Sequence, residues 1–343
     1  QPAVWEQTLA AFRAQAPGLV RLWQPRRPAR VMFTGCSSTY YLAITAANLF
    51  QSLTGVPALA RPASELVLFS ELVFAPHAYA LLVAISRSAA TTETVDALKL
   101  FRSRSGGPLL VITCAEHSPL AAQVDASLIA SAAREESVAQ TRSFSSMAVL
   151  AEALAATLAG QTAETKLAGL PARCERLLTD YRDLGRVLGN ASEIDQFFFL
   201  GSGFLHGIAC EAMLKMKERS LSYSEAYHFL EFWHGPMSMV TEQTQIVGLL
   251  SEGAQTHEQA VLRQMHQRGA RILALFENGS GLELSDRVHD VVLQSGLPGW
   301  ARAVLYLPVL HLLAYYGAIA NHQNPDHPAH LDAVVSIDSL LSP

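Results

Sequence analysis

An internal repeat is the feature that most restricts what this sequence of 343 residues can fold into. Two stretches about 165 residues apart share the same order of apolar, hydroxyl and acidic residues, which is typical of a duplicated structural unit. The residues that match at this offset are Ser86 and Ser251, Thr91 and Thr256, and Glu93 and Glu258. We therefore predict two similar halves, each with a hydrophobic core of its own.

Three apolar segments in each half predict the strands of these cores. They are VMF (31–33), ALLVAIS (80–86) and LLVIT (109–113) in the first half, and FFFL (197–200), IVGLLS (246–251) and ILALF (272–276) in the second. Continuous apolar strands that alternate with helical sequence indicate parallel strands buried on both faces, because a sheet with one wet face alternates polar and apolar residues. The predicted fold class is α/β, with two tandem three-layer αβα sandwiches built on parallel sheets.

The length of the chain and its helical middle section predict the domain boundaries. A chain of this length usually forms two domains. We expect a first lobe over 1–162 that begins with an amphipathic helix, a helical linker over 163–189, and a second lobe over 190–343 that includes a C-terminal tail.

Composition and charge disfavour several classes of protein. Half of the residues are hydrophobic and 16% are charged, so the chain can bury a large core. The formal net charge of −5 gives no general attraction for a nucleic-acid backbone, and we predict no nucleic-acid partner. The four cysteines form no C-x-x-C pair and have no zinc-like spacing, so we expect a reducing, cytoplasmic location and no metal site.

The sequence offers one candidate membrane span, residues 303–320. This stretch contains Pro308 and His311, so a buried helix is the preferred interpretation. The N-terminal residues resemble an amphipathic helix rather than a signal peptide. We predict no membrane association.

Hydroxyl side chains follow two of the predicted strands in the first half. Ligands of parallel sheets bind beyond the carboxyl ends of strands, where helix N-termini attract anions. Hydroxyls and an arginine at such a position predict a phosphate site, and the alternative is that these residues only cap helices. The candidate phosphate-binding residues are Ser38, Thr39, Ser86, Arg87, Ser88 and Thr91.

Charged residues on one predicted helix are the candidates for catalysis in the second half. Glu211, Lys215 and Glu218 are spaced so that they share one helix face. His234 follows an aromatic pair and precedes a Gly-Pro turn, so it is a candidate acid–base partner. The alternatives are a solvated, salt-bridged helix face for the three charged residues and a hydrogen-bonded turn histidine for His234.

The motifs resemble the SIS (sugar isomerase) domain family, especially the isomerase half of glutamine:fructose-6-phosphate amidotransferases. The resemblance covers GCSSTYY, ISRSAATTET, EESVAQTRSF, FLGSG, EAMLKMKERSLSYSEAYHFLEFWHGP and DHPAHLDAVVSID. It implies that the first-half loops bind a sugar phosphate, that Glu218 moves the proton and that His234 opens the sugar ring. It also implies a homodimer in which this histidine reaches the partner's pocket.

Three departures from the family narrow the predicted activity. The amidotransferases carry an N-terminal glutaminase domain, whereas this sequence begins at Gln1 directly before the first lobe, so we expect no use of glutamine unaided. The family's Schiff-base lysine corresponds to Ala333, which cannot form an imine. The usual glutamine of the phosphate loop corresponds to Arg87, which favours a dianionic phosphate or a wider set of acidic groups.

The sequence therefore predicts a phosphosugar isomerase or an amino-sugar-phosphate deaminase or deglycase, with a small phosphosugar as its partner. No cofactor is expected, because Gly201, Gly203 and Gly207 do not have the spacing of a dinucleotide fingerprint. The alternative is a non-catalytic phosphosugar sensor, since a fold does not fix a function. A sensor that regulates transcription needs a DNA-binding segment, and the single helix before the first strand is too short to supply one.

Overall fold

The computed structural model describes residues 1–23, 28–74, 80–118, 120–279, 281–282 and 285–331. Within these residues the chain forms two compact units. The first unit contains residues 1–136 and 140–171, and the second contains residues 137–139 and 172–331. Position Ala333, where the family's lysine was expected, lies outside the described residues.

The first unit is built on a parallel sheet with the strand order β2-β1-β3-β4-β5. Its strands are β1 (Arg30–Gly35), β2 (Ala58–Pro62), β3 (Ala80–Ser86), β4 (Leu109–Thr113) and β5 (Ala126–Ile129). Its helices are α1 (Pro2–Trp23), α2 (Ser38–Thr54), α3 (Ala63–Leu68), α4 (Ser70–Val73), α5 (Thr92–Ser105), α6 (Arg142–Leu158) and α7 (Ala163–Leu167), with 3-10 turns at Ala121–Gln123 and Ser131–Ala133.

The second unit repeats this topology, because its strand order β7-β6-β8-β9-β10 corresponds strand for strand to that of the first. Its strands are β6 (Gln196–Gly201), β7 (Tyr223–Tyr227), β8 (Thr244–Leu249), β9 (Arg271–Phe276) and β10 (Val288–Val292). Its helices are α8 (Leu170–Asp180), α9 (Arg182–Gly189), α10 (Leu205–Lys215), α11 (Phe229–His234), α12 (Gln255–Gln267), α13 (Gly299–Arg302) and α14 (Leu307–Ala320), with a π-helical segment at Met216–Ser220 and 3-10 turns at Pro236–Met239 and Ala303–Tyr306.

The predicted fold class is confirmed, and the burial of the strands explains why it was visible in the sequence. Every residue of β3, β4, β6 and β8 is buried, so these strands appear as unbroken apolar segments. The edge strands β2 and β7 are only partly buried, and their mixed sequences gave no comparable signal. The structure therefore adds four strands to the six that were predicted: β2, β5, β7 and β10.

Helices cover both faces of the second sheet, and two glycines show which helix lies on which face. A Cβ atom on Gly248 would lie 2.8 Å from Leu262 of α12, whereas one on Gly201 would lie 3.2 Å from Ala209 of α10. Gly248 pairs with Leu200, which is the residue before Gly201 on β6, and successive side chains on a strand point to opposite faces. Helices α10 and α12 therefore lie on opposite faces of the sheet.

The predicted buried helix lies in the second unit. Within the described residues, Gly299–Ala320 is the one helical segment that is long and apolar enough to cross a membrane, and 72% of its most apolar window is buried inside the protein. Pro308 lies in the first turn of α14, where a proline removes no intrahelical hydrogen bond. This burial is typical of the core helix of a globular unit.

Candidate active site

The loop between β1 and α2 is a tight turn closed by the hydroxyl of Thr39. This hydroxyl accepts a hydrogen bond from Cys36 N at 2.9 Å and donates one to Cys36 O at 2.9 Å. Gly35 is required at the turn, because a Cβ atom there would lie 2.6 Å from the Thr39 carbonyl carbon. Ser37 has a φ of 52°, a left-handed conformation that is uncommon for a residue other than glycine. The turn therefore holds Ser38 at the start of α2.

The loop between β3 and α5 is held by the hydroxyls of Ser86 and Ser88. Ser86 Oγ accepts from Ala89 N at 3.1 Å, and Ser88 Oγ accepts from Ala90 N at 3.3 Å. Ala89 is buried with a φ of 49°, so this loop is also bent through the left-handed region. Thr91 is the N-cap residue of α5, but its side chain forms no capping hydrogen bond. Simple helix capping therefore does not account for Thr91.

The two loops leave the sheet side by side. Strands β1 and β3 are parallel neighbours with Thr34 opposite Ala84, so Cys36 and Ser86 both follow the same edge. Cys36 Sγ lies 3.6 Å from Thr94 Oγ1 in the first turn of α5. The six predicted phosphate-binding residues thus lie beyond the same edge of the first sheet, in the first turn of α2 and from the end of β3 to the start of α5.

Arg87 is fixed through its backbone to the end of the next strand. Its carbonyl oxygen accepts hydrogen bonds from Thr113 Oγ1 and from Cys114 N, both at 3.2 Å. The loop is therefore anchored independently of any ligand. A guanidinium on a fixed loop, beside hydroxyl donors and a helix N-terminus, is a suitable arrangement for a phosphate.

The equivalent loop of the second unit already carries carboxylates. Glu258 accepts hydrogen bonds from Ser251 N at 2.6 Å and from Ser251 Oγ at 3.0 Å. Burial raises the pKa of Glu258 to about 7, although the two hydrogen bonds from Ser251 act in the opposite direction. Glu252, which occupies the position of Arg87, forms an ion pair of 2.7 Å with the buried Arg302. Both donors of Ser251 are thus already used within the protein.

The three charged residues of the predicted helix face meet around a buried ammonium group. Lys215 Nζ lies 3.4 Å from Glu211 Oε1 and forms an ion pair with Glu218 Oε2. The side chains of Lys215 and Glu211 are 1% and 0% exposed, so a solvated helix face is wrong for these two residues. The side chain of Glu218 is 16% exposed and is therefore the member of the cluster that solvent reaches.

Glu218 does not lie on a regular α-helix, contrary to the sequence prediction. Helix α10 ends at Lys215 and continues as the π-helical segment Met216–Ser220, which contains Glu218. π-helical segments are rare in proteins, and many of those that occur lie at functional sites. The wider turn still brings Glu218 to Lys215, so the predicted cluster forms despite the change of helix type.

Two further buried residues lie beside this cluster and were not predicted. Arg219 is 5% exposed, and its guanidinium contacts Ser137 Oγ at 3.4 Å and Ala139 O at 3.3 Å. His311 lies on α14, and burial, together with the charges of Arg219 and Lys215, holds its pKa well below the usual value. In the sequence His311 counted only against a membrane span, and Arg219 follows the more prominent Glu218.

His234 lies at the surface of the second unit. It is the last residue of α11, is exposed to solvent and contacts Trp233 with ring centroids 5.3 Å apart. Within the described part of the chain its imidazole accepts and donates no hydrogen bond, so the alternative of a hydrogen-bonded turn histidine is not observed. Phe229 and Phe232 of α11 pack with α12, on the face of the sheet opposite to α10. The structure therefore does not bring His234 and Glu218 of one chain together.

No metal site accompanies these residues within the described ranges, where no three His, Cys, Asp or Glu side chains are arranged to bind an ion.

The buried ion pair generates a prediction about stability. Lys215→Met removes the cation that compensates Glu211, so the free energy of unfolding in urea should fall by about 3–5 kcal/mol. Adding Glu211→Gln removes the charge left unpaired, so the double variant should recover part of this loss. Lys99→Met is the matched control, because Lys99 forms an exposed pair with Asp96 and should change stability by about 0–1 kcal/mol. If the losses of stability caused by Lys215→Met and Glu211→Gln simply add in the double variant, the two residues are not coupled.

Known proteins resemble this chain over most of its length. The chain is 26% identical over 323 residues to a glutamine–fructose-6-phosphate aminotransferase (isomerizing) of Methanothermobacter thermautotrophicus, covering 90% of this chain and 52% of that protein. The chain thus spans about half the length of the curated relatives that it matches.

Solved structures share the whole double fold. A glucosamine-6-phosphate deaminase from Thermotoga maritima matches with a TM-score of 0.76 and 28% identity, over 96% of this chain and 100% of that one. A tagatose-6-phosphate ketose/aldose isomerase from Escherichia coli matches with a TM-score of 0.86 and 22% identity, over 96% and 93%, which supports the fold alone.

The SIS domain model matches both units, at residues 26–157 and 192–288, which is more than half of the chain. This protein therefore belongs to the SIS domain family.

Proposed function

We propose that this protein is an enzyme that converts a sugar 6-phosphate or an amino-sugar 6-phosphate through an enediol or enolamine. The outcome is aldose–ketose isomerisation or the release of an amine by deamination or deglycation. The observation that carries the proposal is the Glu218 carboxylate, which remains accessible to solvent while Lys215, buried behind it, holds it in place. A fixed carboxylate with one open side is suited to moving a proton between neighbouring carbons.

The first unit supplies the groups proposed to bind the phosphate. The hydroxyl of Thr91 is not used in capping, and Arg87 provides a permanent positive charge on an anchored loop. In the second unit Ser251, the counterpart of Ser86, donates to Glu258 instead, and Glu252 adds a negative charge in the place of Arg87. This difference supports phosphate binding by the first unit only. Ser38, Ser86 and Ser88 complete the proposed site, with Thr39 shaping its first loop.

The proposed chemistry is a proton transfer that needs no external oxidant. The Glu218 carboxylate takes the proton from C2 of the open-chain sugar and returns it to C1, while the hydroxyl proton on O2 passes to O1 through the enediol, so that an aldose becomes a ketose. If C2 carries an amine, the same transfer gives a C2 imine, which water hydrolyses to a ketose and ammonia. Lys215 and Glu211 do not contact the carbon atoms in this scheme; they keep the Glu218 carboxylate in position.

Ala333 favours these reactions over amide-nitrogen transfer. By the family resemblance, transfer uses a lysine at this position to form an imine with the sugar, and a methyl side chain cannot do so. The identity of 28% to a deaminase over the whole length of that protein also supports release of an amine.

We propose that His234 acts in the active site of a second copy of the chain. Its helix α11 lies on the face of the sheet opposite to α10, which leads to Glu218. Large apolar side chains around it are exposed, namely Leu230, Trp233 and Met239. An exposed apolar patch of this kind is typical of a protein interface. A homodimer in which His234 assists ring opening in the partner's site accounts for both features.

The role of Glu218 is tested by the variant Glu218→Gln, which keeps the size of the side chain and loses the base. Turnover should fall by about 10²-fold or more, while the affinity for phosphosugars measured by calorimetry stays close to the wild-type value. Substrates to compare are the 6-phosphates of glucosamine, galactosamine, fructose, tagatose and fructosamine, with products identified by mass spectrometry. Glu242→Gln, an exposed carboxylate of the same unit, is the control.

Full activity in Glu218→Gln would remove this residue from the mechanism. If the wild type binds phosphosugars but forms no product from any of these substrates, the protein is a phosphosugar sensor rather than an enzyme.

The shared site is tested by mixing two inactive variants, Glu218→Gln and His234→Asn. If the residues act across a dimer, half of the randomly formed dimers are mixed and each has one intact site, so about a quarter of the wild-type activity should return. Activity that never returns, in dimers whose exchange is verified by native mass spectrometry, would place both residues in one chain's site.

A further inference from the structure

The segment that carries Glu218 ends at a residue with a strained backbone. The π-helical turn Met216–Ser220 ends at Leu221, whose φ is 54° and whose side chain is 54% exposed. A leucine in this left-handed conformation is strained and gains little from burial, so other contacts must maintain it. The hydrogen bonds of Leu221 N to Lys217 O at 3.2 Å and of Ser222 N to Met216 O at 3.4 Å are long.

Asn321, at the end of α14, makes contacts that hold this turn. Its Nδ2 donates hydrogen bonds to Ser220 O at 2.7 Å and to Ser222 Oγ at 3.3 Å. These two acceptors flank Leu221, so one amide group bridges the strained residue. The carbonyl of Ser220 is the last one of the π-helical segment and has no partner further along a helix.

The hydroxyl of Ser220 extends this network into the turn. Ser220 Oγ donates to Met216 O at 2.6 Å and also lies 2.9 Å from Ser222 Oγ. The Ser220 hydroxyl therefore links the start of the turn, at Met216, to Ser222 after its end. Asn321 then connects the Ser222 hydroxyl to the end of α14.

The backbone of Asn321 is fixed by hydrogen bonds, and its helix approaches the turn closely. Asn321 N donates to Gly317 O at 3.0 Å, and Asn321 O accepts from Gln323 Nε2 at 3.0 Å. A Cβ atom on Gly317 would lie 3.4 Å from Ser220 Cβ and 3.5 Å from Met216 Cε. The glycine thus lets α14 lie directly against the π-helical segment.

We propose that Asn321 is a positioning residue for the reaction: it fixes the π-helical turn and thereby keeps the Glu218 carboxylate against Lys215. The inference rests on the proposed role of Glu218. Asn321 does not contact Glu218 or Lys215, and its effect passes through the backbone of Ser220. Losing its donor lets the turn relax, and Glu218 then leaves the position from which it reaches the substrate.

The test uses Asn321→Asp, which keeps the shape and loses the donor, and Asn321→Ala. Asn324→Ala is the matched control, because Asn324 is another exposed asparagine of the same stretch and only accepts hydrogen bonds from Asp326 N and His327 N. A displacement of about 1 Å at a catalytic group lowers kcat by ~10- to 100-fold. We expect this loss in both Asn321 variants, with KM for the phosphosugar changed less than about twofold.

Hydrogen exchange provides a readout that does not depend on activity. The amides of Leu221 and Ser222 should exchange faster in the Asn321 variants than in the wild type and in Asn324→Ala, since their hydrogen bonds open more often. The thermal midpoint should equal that of Asn324→Ala, because Asn321 is exposed and its loss affects the turn only.

Unchanged exchange and unchanged kcat would overturn the inference. A loss of kcat accompanied by a higher KM and a lower thermal midpoint would also overturn it, by showing a general role in stability. If the wild type itself turns over no phosphosugar, the proposed function fails, and the exchange rates then decide separately whether Asn321 holds the turn.

Discussion

The ammonium group of Lys215, buried between two carboxylates, is the interaction on which the candidate chemistry depends. A buried cation is stable only beside an opposite charge, and Glu211 supplies one from the same helix. The second partner, Glu218, comes from the π-helical turn and keeps one side open to solvent. The ion pair thus links the stability of the second unit to the position of the proposed catalytic base. Arg219 and His311 lie beside this arrangement, and Asn321 is proposed to support it, so the proposed chemistry of one carboxylate depends on the packing of several elements.

The two units share one fold and differ in the loop that follows the central strand. Both have a serine at the end of the central strand and a glutamate in the helix that follows, as the repeat predicted. In the second unit Glu258 turns back onto Ser251, whereas in the first unit Ser86 bonds Ala89 N instead. A carboxylate within the protein thus occupies the donors in one copy. The exchange of Arg87 for Glu252 at the neighbouring position changes the sign of the charge, and the proposed division of labour follows from these two differences.

The sequence was sufficient for the architecture and for the members of the buried cluster, because both depend on local patterns. Unbroken apolar segments marked the central strands, and the spacing of Glu211, Lys215 and Glu218 marked one side of a helix. Burial of the pair was not predicted, since spacing alone does not distinguish a solvated face from a packed one. Edge strands such as β7 were missed because half-buried strands have mixed composition. Asn321 could not be found in this way, because its partners lie about 100 residues away in sequence and only tertiary packing joins them.

The central claim is that Glu218 moves a proton between C1 and C2 of a phosphorylated sugar, and isotope exchange measures this step directly. The protein is incubated in D₂O with a sugar 6-phosphate or amino-sugar 6-phosphate from which it forms product, and deuterium at C1 and C2 is followed by NMR. The account predicts deuterium in the product or recovered substrate for the wild type, and none for Glu218→Gln with the phosphosugar still bound. If the wild type forms product without deuterium from D₂O, the proton is returned before it exchanges with solvent, and transfer of deuterium from C2 to C1 of a C2-deuterated substrate then measures the same step. Exchange or transfer that persists in Glu218→Gln would contradict the account.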